Sequence, residues 1–129
     1  MIGVERVDYV RIPVTDMEQA EHFYGVVLGL EKNPNSPGED WAEYEVGNVT
    51  LVVMTPHTHE YEVTQLPPAT IALRVLDLEA AKAKLESAGL EVGDIWDSGA
   101  CNGVGVTDPA GNRILLHRRY APYPDGTMP

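Results

Sequence analysis

One cysteine in 129 residues excludes an internal disulfide and gives no argument for an oxidising compartment. Positive charge is equally scarce: nine lysines and arginines face twenty aspartates and glutamates, a formal charge of -11. That excess repels nucleic-acid phosphates and anionic lipid alike, so neither is an expected partner. No apolar run approaches the roughly 18–20 residues of a membrane span. Met1 to Arg6 carry no apolar leader and run straight into a strand-like stretch, so no targeting peptide is expected. What is present is ordinary globular composition, 43% apolar and 22% charged. The length suits one domain of about 100–200 residues. The expectation is one acidic, soluble, cytoplasmic domain with a real core.

A pattern recurs along the chain. Val14-Thr15-Asp16-Met17-Glu18 returns as Val75-Leu76-Asp77-Leu78-Glu79, a step of 61 from position 14 to 75. A helical pattern follows each copy and ends on Gly29-Leu30-Glu31 or Gly89-Leu90-Glu91. Gly47-Asn48 before Val49–Met54 returns as Gly111-Asn112 before Ile114–Leu116. Three matches in the same order read as an internal repeat.

Each copy reads as a strand, a helix and three strands. Val10, Ile12 and Val14 alternate with Tyr9, Arg11 and Pro13, and Ile71, Leu73 and Val75 with Thr70, Ala72 and Arg74. Period-two alternation predicts half-buried strands whose apolar faces pack on the helices. Asp16 and Asp77 are placed to accept the free N–H groups of the first helical turn. Apolar residues Met17, Ala20, Tyr24, Val27 and Leu28 share one helix face, as do Leu78, Ala81, Leu85 and Ala88. Gly29 and Gly89 sit where a left-handed helix cap needs no Cβ. Trp41–Val46 and Val49–Met54 predict a hairpin across Gly47-Asn48, matched by Gly103–Thr107 and Arg113–His117. Module 1 then spans about 4–55, a polar linker about 56–68, and module 2 about 69–120. Ala121–Pro129, with three prolines, reads as an extended tail.

Residues 7–118 resemble the vicinal oxygen chelate superfamily, which includes glyoxalase I, bleomycin-resistance proteins and extradiol dioxygenases. The resemblance rests on Phe23-Tyr24 with Leu28-Gly29-Leu30, the two Val-x-Asp segments, and the turn Asp108-Pro109-Ala110-Gly111-Asn112. It implies an α+β fold of tandem βαβββ modules, with curved mixed sheets around a cavity, commonly in homodimers. The fold hosts many chemistries and does not fix a function.

In the metal-dependent members of this family, two strands of each module supply inward His or Glu ligands, occasionally Gln or Tyr. The matching first-strand positions here, five residues before the valine of Val-x-Asp, are Tyr9 and Thr70. Four residues after the turn glycine, the last-strand positions are Leu51 and Leu115. Divalent metals want imidazole, carboxylate or thiolate, and leucine has no lone pair. No metal and no cofactor is therefore expected. His57-Thr58-His59 lies in the polar linker and reads as a solvated loop. His22 reads as a helix-boundary residue and Cys101 as a small buried filler.

The expected cavity is lined by Tyr9, Arg11, Leu51, Thr70, Arg74, Leu115 and His117. His117 follows Leu115 by two residues and so shares its face. The arginines could pair with Glu43 and Glu45, or fork onto a ligand carboxylate or phosphate. Trp41, Tyr44, Trp96 and Tyr120 are core or a stacking wall for a planar ligand. Gly103 and Gly105 mark close approach by a backbone or ligand. The resulting expectation is a metal-free small-molecule binding protein of the bleomycin-resistance type. The alternative is a glyoxalase-like lyase, isomerase or dioxygenase, with a displaced metal or with His117 and Tyr9 as acid and base.

Overall fold

A computed structural model describes residues 2–3, 5, 9–34, 39–55, 70–122 and 124–129. The linker expected over 56–68, with His57 and His59, lies outside the described residues. The fold is α+β. The chain forms two compact units: Met1–Ala69 with Pro109–Asn112, and Thr70–Asp108 with Arg113–Pro129.

The first unit contains β1 (Tyr9–Pro13), α1 (Met17–Glu21), β2 (Glu31–Lys32), β3 (Trp41–Glu45) and β4 (Thr50–Met54). Its sheet has the order β1-β4-β3-β2, with β1 parallel to β4 and the other pairs antiparallel. Asp16 caps α1 by accepting the Gln19 N–H at 3.0 Å. Beyond α1 the chain widens into a π-helical turn over His22–Val27, where Leu28 N–H donates to Phe23 O five residues back. Sequence periodicity predicts one uniform helix here. The reason for the wider turn is length: Asp16 to Gly29 is one residue longer than Asp77 to Gly89. The extra residue is absorbed before the left-handed Gly29 (φ 69°). Phe23 and Tyr24 are consecutive and both buried, with rings 5.0 Å apart edge to face. Tyr24 in turn meets Tyr44 of β3 at 6.0 Å. Asn112, also buried, donates from Nδ2 to Pro13 O at 2.6 Å, which satisfies an amide that burial would otherwise strand.

The second unit contains β5 (Thr70–Arg74), α2 (Leu78–Ser87), β6 (Trp96–Asp97), β7 (Cys101–Thr107) and β8 (Arg113–Arg119). Its order, β5-β8-β7-β6, has the same pattern, with β5 parallel to β8. Asp77 accepts Ala80 N–H at 3.0 Å, and α2 runs ten regular residues before Gly89 (φ 85°). Leu78 and Leu85 of α2 are buried, as are Leu73, Val104, Val106, Ile114 and Leu116 of the sheet. Strands β7 and β8 extend past the expected ends because Cys101↔Arg119 and Asn102↔Arg118 continue the ladder.

Candidate functional site

Residues paired across a ladder share a face, so the register sorts each sheet's side chains. In the first unit Val10, Leu51 and Tyr44 form one row, and Ile12, Val53 and Ala42 the next. This is the core side, where Leu51, Val53, Ala42, Ile12 and Tyr44 are at most 1% exposed. The opposite face carries Tyr9, Thr50 and Glu45 in one row and Arg11, Val52 and Glu43 in the next. Tyr9 is half exposed and Arg11 exposed, with the guanidinium 5.7 Å from the ring centroids of both Tyr9 and Trp41. The Glu45 carboxylate accepts from Thr50 Oγ1 at 3.0 Å.

This register corrects the placement of Leu51. Counting from the turn glycine puts it beside Tyr9, but it lies on the core face, and Val52 occupies the row of Arg11. The cause is turn length. Four residues separate Glu45 from Thr50, whereas five separate Thr107 from Arg113. One residue of difference exchanges the faces of a strand. Leu115 stays on the open side: Ala72, Leu115 and Gly105 form one row.

That open face of the second sheet has three further rows. Trp96, Gly103, His117 and Arg74 form one, Thr107, Arg113 and Thr70 another, and Cys101 with Arg119 the last. Thr70, Ala72, Arg74 and Arg113 are exposed; Leu115, His117 and Arg119 are half-buried. Trp96 is 39% exposed and its ring centroid lies 6.3 Å from that of His117. A Cβ on Gly103 would come within 2.7 Å of Trp96 Cε2 and closer still to Cζ2, so the indole lies in the space the glycine leaves. Gly105 does the same for Arg113, whose Nη2 would be 3.0 Å from a Cβ there. Arg119 is held by the chain end, donating to Ala121 O at 2.9 Å and Pro122 O at 2.6 Å. Arg74 and Arg113 have no ion-pair partner among the described residues. No carboxylate occupies a ladder position on this face.

The sequence expectation omitted Arg113, Arg119 and Val52 from the site, and named Trp96 only as core or a stacking wall. Three of these could have been found by stepping in twos, from Leu115 to the arginines and from Gly103 across to its partner strand. Val52 could not, because its place depends on the turn. His22 is exposed at the start of the π-helical turn, and Cys101 is half-buried rather than fully buried. Tyr44 is core. Its phenol is pushed up to about 12 by burial, reinforced by the Glu21 charge. Tyr120 donates to Asp97 Oδ1 at 2.7 Å; this bond raises the phenol and, helped by the Gly99 N–H, lowers the Asp97 carboxyl.

The side chains at the positions where relatives hold a metal do not suit one. The first sheet offers the Tyr9 phenol one row away from Val52, and the second the Thr70 hydroxyl one row away from Leu115. Neither pair supplies the imidazole or carboxylate donors a divalent ion needs. Among the described residues no three His, Cys, Asp or Glu side chains converge. No helix among them is long and apolar enough to cross a membrane.

Comparison with known proteins bears on this geometry. The glyoxalase/bleomycin resistance protein/dioxygenase superfamily matches residues 6–116. No curated protein sequence matches the chain. Among solved structures, TnmS3, an antibiotic binding protein from Streptomyces sp. CB03234, superposes with a TM-score of 0.75 at 24% identity, covering 92% of this chain and 99% of its own. A glyoxalase/bleomycin resistance protein from the same organism gives 0.68 at 24%, covering 88% and 100%. A lactoylglutathione lyase from Agrobacterium tumefaciens gives 0.71 at 21%, covering 89% and 94%. At these identities the likeness is one of fold, and it spans both binders and an enzyme.

Proposed function

Because the chain belongs to the glyoxalase/bleomycin resistance protein/dioxygenase superfamily, we propose that it is a small-molecule binding protein that works without the divalent metal of its catalytic relatives. The observation that carries this reading is made on each sheet by itself: one carries Tyr9 and Val52 at the matched positions, the other Thr70 and Leu115. Such side chains can hold an organic ligand by packing and hydrogen bonding, but neither pair offers the imidazole or carboxylate donors that a divalent ion needs. The recurring strand order supports tandem βαβββ modules over about 4–55 and 69–120. A neighbour of this fold that binds an antibiotic makes antibiotics the first ligands to test.

The test is a thermal-shift panel of bleomycin and planar aromatic antibiotics on protein dialysed against a chelator. A ligand that binds only the folded state stabilises it by about 2.7 kcal/mol at a hundredfold excess over Kd. For a chain of this size that is a rise in Tm of roughly 10 °C. The rise should be the same with chelator or with added zinc. Stoichiometric retention of a divalent ion, or metal-dependent conversion of a methylglyoxal–glutathione adduct, would overturn the reading in favour of a lyase.

A further inference from the structure

The second sheet gathers on one face a charge that is scarce in the chain as a whole. In a chain of formal charge -11, Arg74, Arg113 and His117 share a surface with no carboxylate at its ladder positions. Arg74 and Arg113 are exposed and neither is ion-paired among the described residues. Between their rows lies a neutral, low row of Gly105, Leu115 and Ala72. The two flanking rows are four residues apart along the strands, about 13 Å.

Two planar groups are laid against the sheet rather than standing up from it. Gly103 and Gly105 have no Cβ, and the Trp96 indole and the Arg113 guanidinium occupy the space each leaves. Both are therefore held low by the backbone and present a flat surface. An indole face stacks on aromatic rings, and a guanidinium forks onto an oxyanion.

Building on the binding reading above, we propose that this face takes a planar aromatic anion. Its ring would stack on Trp96 over the Leu115 and Ala72 floor, and its carboxylate or phosphate would meet Arg113 or Arg74. The face is cationic while the protein as a whole is strongly acidic, so the attraction is local and weakens with salt.

Sodium 2-naphthoate, with neutral methyl 2-naphthoate as its control, tests this by isothermal titration calorimetry on the full chain. The acid should bind at one site per chain, at least tenfold more tightly than the ester, and more weakly as sodium chloride is raised. Trp96→Ala should lower the affinity about tenfold, and Arg113→Gln or Arg74→Gln about three- to tenfold. Lys84→Gln, on the exposed side of α2, should leave it unchanged. Trp96 and both arginines are exposed, so these variants should fold, which circular dichroism checks. Equal binding of acid and ester, indifference to Trp96→Ala, or no binding of naphthoate at millimolar concentration would overturn the proposal. If antibiotics from the panel still bind while any of these holds, the ligand class and face are wrong and the binding reading stands. If nothing in the panel binds either, both fail.

Discussion

The two sheets share a strand order but differ in the chemistry of the face turned away from the core rows. The first sets Arg11 between the rings of Tyr9 and Trp41, in rows that also carry Glu43 and Glu45. The second carries Arg74, Arg113 and His117 on a face with no carboxylate at its ladder positions. The first also keeps Val52 and Met54 fully buried on that side, whereas Leu115 and His117 of the second remain half-exposed. Backbone topology is thus compatible with two chemically unlike surfaces. The side chains at alternate positions decide what each can hold.

The largest test of that contrast is a pair of leucines that simple counting treats as equivalent. Leu51→Ala should cost about 2–5 kcal/mol, because its side chain lies wholly in the core. Leu115→Ala on the open face should cost about 1 kcal/mol or less. Urea denaturation of both variants reads the difference, and equal losses would refute the register offset between the hairpins.

A smaller effect separates the units by pH. Tyr44 is neutral and buried in the first unit, with its pKa pushed up to about 12. A raised folded-state pKa stabilises the fold below the unfolded value near 10, and that stability is lost as pH climbs toward 12. Alkaline titration should therefore loosen the first unit, seen as Tyr44 ionising together with Tyr24 ring exposure. Tyr44→Phe should remove this step, and an unchanged alkaline midpoint in that variant would refute it.

The smallest effect should not distinguish the units at all. Asp16 and Asp77 each accept one 3.0 Å bond from the backbone three residues on. Replacing either by alanine should cost about 1 kcal/mol. A clearly larger loss at Asp16 would show that the π-helical turn leans on its short α-helical stem, a dependence absent from the ten-residue helix of the second unit.

These same residues show what was legible in the sequence. The caps at Asp16 and Asp77 and the positive φ of Gly29 and Gly89 follow from chemistry within a few residues, and the sequence predicts them. So does the alternation of Tyr9 and Arg11 against Val10 and Ile12, since a strand exposes its period directly. The π-helical turn and the face of Leu51 do not follow, because each turns on one residue of length that apolar periodicity does not record. The Trp96 and Arg113 placements depend on Gly103 and Gly105 of a neighbouring strand. Glycine signals room there but not what fills it.

The chain has two tryptophans, and each sheet receives one. Trp41 is half-buried in register with the fully buried Met54, while Trp96 lies 39% exposed over a glycine. Indole emission moves to longer wavelength as water gains access to the ring. The molecule therefore carries a bluer lamp in one half and a redder one in the other. With either indole replaced by phenylalanine, the remaining colour follows the melting of a single half.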